Sequence, residues 1–217
     1  MENITEMAYN HSMFKTINDR ISFITGTKDP LSSDVAIIRC DSRICFFDVG
    51  AGEEALAYIN SVSEDRLFII SHFHRDHIAN AHQIDSKAFL GGKRSISHIG
   101  KGTVLTEKTV IDDGVHLEIL PYPNSHCKDS LILTVDGCYT FIGDALGPQL
   151  INGRQQFNTQ LLKTDIDILS SLETLFIVSS HEMDRPIPVK DAIDRLRQIY
   201  SSRDPSSAYI PVNFWED

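Results

Sequence analysis

Arg66-Leu67-Phe68-Ile69-Ile70-Ser71-His72-Phe73-His74-Arg75-Asp76-His77-Ile78 is the stretch that decides how this chain reads. Its first half, Leu67 to Ile70, is a short apolar run of branched and aromatic residues, the pattern of a buried strand. His72, His74, Asp76 and His77 follow within six residues. A neutral imidazole offers a lone pair, and a carboxylate supplies the negative charge a divalent cation requires. Side chains two apart on an extended segment share a side, so His72 and His74 can grip one ion. A turn after His74 would face Asp76 and His77 toward a second. The plain alternative, a polar loop holding histidines by chance, leaves their clustering unexplained.

Toward the N-terminus, Ile44 to Asp48 and Val35 to Arg39 read as a hairpin across Cys40-Asp41-Ser42-Arg43. Ile21 to Ile24 is an earlier strand ended at Gly26, and Met1 to Thr16 carries no pattern. After Asp48-Val49-Gly50-Ala51-Gly52, a helix begins at Glu53 with Ala55, Leu56 and Ile59 at helical spacing. Toward the C-terminus, the pattern predicts a short helix from Ile78 to Ile84 and a strand from Lys87 to Leu90, stopped by Gly91-Gly92. Lys93 to Lys108 reads as a loop whose Lys93, Arg94, Lys101 and Lys108 are either a solvated surface or a mouth for an anionic substrate.

Val115, Leu117 and Ile119 alternate with His116 and Glu118, a half-buried strand with His116 facing solvent, and the chain then reaches His126. Leu131 to Val135 and Cys138 to Ile142 form a hairpin around Asp136-Gly137, and the second strand delivers Gly143-Asp144. Leu161 to Leu172 is an amphipathic helix. Leu175 to Val178 ends in Ser179-Ser180-His181, repeating the construction of Ile70-Ser71-His72. Pro188 opens a last helix with Val189, Ile193, Leu196 and Tyr200 on one face. In the tail, Tyr209, Phe214 and Trp215 cover the core or meet another subunit of a homo-oligomer. His11, His82 and His98 read as surface or helix histidines. Taken singly, Asp48 suits a turn, His126 is undecided, and Asp144 suits a turn or a helix N-cap.

The segment His72-Phe73-His74-Arg75-Asp76-His77 resembles the H-x-H-x-D-H signature of the metallo-β-lactamase-fold superfamily. Asp48 before it, and His126, Asp144 and His181 after it, stand in an order similar to that superfamily's over most of the chain. Ile78-Ala79-Asn80 departs from the glycines of many members, and Cys127-Lys128 from their Thr and Pro. The resemblance implies an α/β fold, a four-layer αββα sandwich with its site at one edge between two sheets. It implies His72, His74 and His126 on one metal, Asp76, His77 and His181 on a second, and Asp144 bridging. Asp48 would orient a ligating histidine from below. Five imidazoles and two carboxylates suit two zinc ions, with iron or manganese as alternatives.

The implied activity is a binuclear metal-dependent hydrolase whose nucleophile is a metal-bridging hydroxide, with Asp76 and Asp144 at the catalytic centre. Asp76-His77 together with Asp144 looks more like thioesterases resembling glyoxalase II, lactonases or phosphodiesterases than like dedicated β-lactamases. A thioester, lactone or other carboxylic ester is the leading expectation for the substrate. The alternatives are a phosphodiesterase, an iron-dependent sulfur-oxidising or other redox enzyme, and a non-catalytic ligand-binding module.

Composition narrows the classes. The 217 residues suit one domain, and 41% hydrophobic content is ordinary for a soluble protein. No apolar run reaches the roughly 18–20 residues of a membrane helix, and the N-terminus has no secretory pattern. A formal charge of −10 weighs against nucleic acid, and the implied hydrolase would act on a small-molecule substrate. Cys40, Cys45, Cys127 and Cys138 include no C-x-x-C pair and read as scattered reduced thiols of a cytoplasmic protein.

Overall fold

The computed structural model describes residues 13–212. A seven-stranded sheet takes its strands in chain order: β1 (Phe14–Thr16), β2 (Ile21–Ile24), β3 (Val35–Arg39), β4 (Arg43–Phe47), β5 (Asp65–Ile69), β6 (Phe89–Gly91) and β7 (Thr103–Val104). Neighbours are antiparallel up to β4 and parallel from β4 onward. A second sheet begins with the antiparallel run β8 (Thr109–Asp112), β9 (His116–Tyr122), β10 (Ser130–Val135) and β11 (Tyr139–Phe141). The chain then leaves for a hairpin, β12 (Gln149–Ile151) and β13 (Arg154–Asn158). It returns with β14 (Phe176–Val178), parallel to β11, and β15 (Ile187–Pro188). A last strand, β16 (Tyr209–Pro211), pairs with β13.

Three apolar clusters make this a four-layer αββα sandwich. Strand side chains alternate between faces, and in the first sheet both faces are apolar. Ala36, Ile38, Cys45, Phe47, Leu67 and Ile69 point one way and meet Leu117, Ile119, Leu131, Leu133 and Phe141 of the second sheet. Val35, Ile37, Phe46, Phe68 and Ile70 point the other way, toward helix α1 (Glu53–Ser61) and its neighbours. The second sheet's outer face, with Tyr122, Ile132 and Ile177, is covered by α4 (Thr159–Ser171) and α5 (Val189–Ser201). Burial on two faces is why these strands read as continuous apolar runs.

Between α1 and α4 lie α2 (Arg75–Ile78) and α3 (Lys93–Ile99), with a 3-10 turn at Ala79–Gln83 in place of the expected helix from Ile78 to Ile84. α3 corrects the reading of Lys93 to Lys108 as a loop. Its seven residues carry too few apolar positions to register a helical period. Glycines set its ends: Gly100 takes a left-handed φ of 75° and donates to the Ile96 carbonyl. The cysteines are not all scattered either, since the free Cys40 and Cys45 sulfurs lie 3.7 Å apart. Tyr209 joins β16, while His11, Phe214 and Trp215 lie outside the described residues. No helix among the described residues is long and apolar enough to cross a membrane.

The outer helical layer contains a misfit. Asp165 is fully buried on α4 beside Leu162, Ile166 and Leu169, and neither carboxylate oxygen has a partner. Burial pushes its carboxyl well above the usual range. The unfolded chain therefore releases this proton first, and stability falls as pH rises above the ordinary aspartate value. Asp165→Asn should raise unfolding free energy at pH 8 by about 1–3 kcal/mol. The gain should shrink toward pH 5, as urea denaturation at the two pH values will report.

Candidate metal centre

Two parallel strand pairs, one in each sheet, end at the same edge. In the first sheet β4 and β5 run together, so Asp48 and Ser71-His72 emerge side by side. In the second, β11 and β14 deliver Asp144 and His181; the pairing continues as Ser180 N–H donates to the Gly143 carbonyl at 3.1 Å. The two edges are in contact. A Cβ on Gly143, whose φ is +62°, would sit 2.9 Å from the Ser71 Cβ. Only glycine lets Asp144 approach His72 this closely. Leu131 N–H also donates to the Ser71 carbonyl, tying β10 to the edge of the first sheet at 2.8 Å.

All seven proposed ligands converge there in two groups, His72-His74-His126 and Asp76-His77-Asp144-His181, each with its ligand atoms within 4.8 Å of one another. Asp144 Oδ2 stands between the groups. It is 3.9 Å from His72 Nε2 and 3.7 Å from His126 Nε2 on one side. On the other it is 3.2 Å from His77 Nε2 and 3.6 Å from His181 Nε2. Asp76 Oδ2 lies 3.2 Å from His181 Nε2 and 3.3 Å from His77 Nε2.

The hydrogen bonds around the rings set their tautomers. His126 Nδ1 faces the Pro148 carbonyl at 3.2 Å; a carbonyl only accepts, so Nδ1 carries the hydrogen and Nε2 a bare lone pair. Ser71 Oγ gives its single hydrogen to Asp48 Oδ2 at 2.7 Å, so it accepts from His72 Nδ1 at 3.0 Å. That again leaves Nε2 bare. His77 Nδ1 donates to Asp48 Oδ2 at 2.7 Å, turning its Nε2 toward Asp144. The Asp48 carboxylate also accepts from Ser71 N–H at 2.8 Å and from Ser180 Oγ at 3.3 Å. Its backbone is held at a φ of 63°, unusual for a non-glycine residue.

His72 and His126 place their bare Nε2 atoms 2.9 and 3.0 Å from His74 Nδ1. At most one hydrogen, on His74 Nδ1, is available among three converging nitrogens. Such a set fits a cation better than it fits its own hydrogen bonds. Burial and the neighbouring histidines keep these rings neutral: His72 falls well below the ordinary histidine value, His126 falls too, and His74 is pushed down to about 4. The second group behaves oppositely. Burial would lower His77, but the Asp144 and Asp48 charges outweigh it and hold the ring well above its usual value. Burial likewise opposes the rise of His181, which hydrogen bonds to Asp144 and Asp76 carry to about 9. Burial would raise Asp76 and Asp144, yet the histidine contacts hold both below the carboxylate range. The carboxylates therefore demand positive charge between them, which protons supply when no metal does.

Sequence reasoning passed over the two serines on Asp48, although Ser71-His72 and Ser180-His181 stand in the sequence as a repeated pair. It also passed over Phe73, whose ring meets His74 at 4.8 Å, stacks on His98 at 5.3 Å and carries the Arg94 guanidinium 3.8 Å from its centre. His116 faces outward as expected and is bracketed by Asp112 and Glu118; the site does not include it or His82.

No family model matches the chain, and no curated protein matches it. Solved structures do. A metallo-β-lactamase from Pontibacter korlensis superposes with a TM-score of 0.66 at 17% identity, covering 88% of this chain and 99% of that one. An inverting sec-alkylsulfatase from Pseudomonas sp. gives 0.69 at 14%, covering 87% of this chain and 41% of its own. A flavoprotein from Thermotoga maritima gives 0.68 at 13%, with 89% and 62% covered. The chain thus has the metallo-β-lactamase fold and spans less than two thirds of the flavoprotein and the sulfatase that share it.

Asp48 carries a prediction that needs no metal. Asp48→Ala strands the Ser71 N–H, the Ser71 hydroxyl and the His77 Nδ1–H in a fully buried position. Metal-free protein should lose about 3 kcal/mol or more of unfolding free energy. His82→Ala, on an exposed residue, should change it by less than about 0.5 kcal/mol in the same urea titration.

Proposed function

We propose that this protein is a metal-dependent hydrolase with a binuclear centre, and that its substrate is a thioester, lactone or other carboxylic ester. The observation that carries the reading is the position of Asp144 Oδ2, within 3.9 Å of His72 and His126 in one group and of His77 and His181 in the other. A carboxylate so placed serves two cations at once. His72, His74 and His126 would hold one, and Asp76, His77 and His181 the other. The all-nitrogen and nitrogen-oxygen donor sets suit zinc. Bound divalent cations supply Lewis acidity and acidify water near neutral pH.

The chain's own residues supply the rest. Asp48 and Pro148 fix ring orientation, so Nε2 of His77 and Nε2 of His126 are aimed before anything binds. Asp76, held anionic, offers an oxygen that can accept a hydrogen bond from the attacking water. Phe73 packs beside His74, and Arg94 on its face would be a handle for an anionic part of the substrate. The cytoplasm is the setting we assign to this activity.

A second reading is redox chemistry, because flavo di-iron proteins share the fold. Oxygen separates the two. Metal-free protein reloaded with zinc alone should turn over members of a thioester, lactone and phosphodiester panel under anaerobic conditions. Activity that appears only with iron, and consumes oxygen in step with product, would sink the hydrolase reading.

The two groups should also bind metal with different proton counts. His72, His74 and His126 are held neutral, so the first zinc should release few protons at pH 7. His77 is held well above its usual value and His181 is raised to about 9, so the second must expel protons from both rings, and its affinity should fall as pH drops. Calorimetry in two buffers of different ionisation enthalpy measures both counts. Asp144→Ala should lower metal content below two equivalents and cut turnover at least a hundredfold; His116→Ala should change neither.

A further inference from the structure

Ser32, Ser33 and Asp34 form a buried segment just before β3, at the edge where the two sheets meet, and the chemistry above does not use them. Each reaches a different wall of the metal centre. Ser32 Oγ accepts from the backbone N–H groups of Ala51 and Gly52 at 2.9 and 3.2 Å, holding the turn that leaves Asp48. Ser33 N–H donates to the Asp76 carbonyl at 3.0 Å. Asp34 grips the His181 loop on both sides of the histidine. Its N–H donates to the Ser180 carbonyl at 2.7 Å, and its Oδ2 accepts from Met183 N–H at 3.0 Å. Its other oxygen, Oδ1, accepts from Gly26 N–H at 2.7 Å.

The segment belongs to the first sheet through β3, whereas His181 belongs to the second through β14. Asp76 hangs from the first sheet, where Ser33 holds it. The second group of metal-binding side chains is therefore drawn from both sheets. The distance between Asp76 and His181, 3.2 Å between their facing atoms, depends on how the sheets are pinned at this point. Gly26 makes the pinning tight, since a Cβ there would fall 2.0 Å from the Ser32 carbonyl oxygen.

We propose that Ser33 and Asp34 act as an inter-sheet clamp that presets His181 against Asp76, making Asp34 a positioning residue for the second metal site. This rests on the binuclear reading above. The clamp acts on one group of ligands and not the other, because its hydrogen bonds run to the segments carrying Asp76 and His181 and none joins it to His72, His74 or His126.

Asp34→Asn is the test. Both carboxylate oxygens accept from backbone N–H groups, so an amide must turn its NH2 toward one of those donors and lose that hydrogen bond. In zinc titrations against a chromophoric chelator, the variant should bind the second equivalent at least tenfold more weakly than wild type. The first should stay within twofold. A merely structural role would weaken both steps alike or neither, and either result overturns the clamp. Wild-type protein that takes up a single zinc removes the binuclear reading and the clamp with it. Two zinc ions in wild type with an unchanged second step in the variant remove the clamp alone. If the variant does not fold, amide exchange on wild type decides. The Met183 and Gly26 amides should already be protected in zinc-free protein. Exchange at open-loop rates until zinc is added would show that nothing is preset.

Discussion

One buried carboxylate holds this edge of the molecule together. Asp48 is fully inaccessible, and its two oxygens accept from Ser71 N–H, Ser71 Oγ, His77 Nδ1 and Ser180 Oγ. Those donors come from the end of β5, from α2 and from the end of β14, so one side chain joins both sheets and the helix between them. A buried charge of this kind is tolerated only when hydrogen bonds satisfy it. Its strained backbone, with φ at 63°, is the local cost of aiming the carboxylate inward at a strand end. Everything that could bind metal is arranged around that anchor. His77 is fastened at both ends, its ring to Asp48 and its carbonyl to the N–H groups of Val49 and Gly50.

Seven ionisable side chains packed this closely oppose folding through desolvation and like-charge contacts. The three apolar clusters offset that cost, and they do so away from the site. The central cluster between the sheets and the two outer clusters under the helices leave the strand ends as a place where polar groups collect. The electrostatics then divide within the site. The three-histidine group is kept neutral by burial and by its own neighbours, while the mixed group gathers positive charge between two carboxylates. A single edge thus presents two environments of opposite demand, with Asp144 shared between them.

Legibility in the sequence followed distance along the chain. The cluster from His72 to His77 announced itself because a strand pattern ends in four metal-binding groups with only Phe73 and Arg75 between them. His126, Asp144 and His181 are separated from it by tens of residues; singly, His126 is undecided and Asp144 suits a turn or a helix N-cap. They became readable only as an order, through resemblance to a family. α3 was missed because two turns of helix leave too few apolar positions for a period to show, and its glycine boundaries look the same before a loop. Ser71 and Ser180 carry no signal of their own, since a serine beside a histidine is common in any loop.

By itself the sequence determined the elements: which runs are buried on two faces, where strands stop, and which residues at those stops can bind a metal. These follow from local periodicity and side-chain chemistry, which each segment carries with it. Only the tertiary structure decided that two parallel pairs in different sheets share one edge, that Gly143 permits Ser71 to touch it, and that Asp48 and Asp34 reach across from one sheet to the other. The reason is that a hydrogen bond between residues more than a hundred positions apart depends on how the layers stack. Stacking is set by the summed shape of three cores and by no single stretch of the chain.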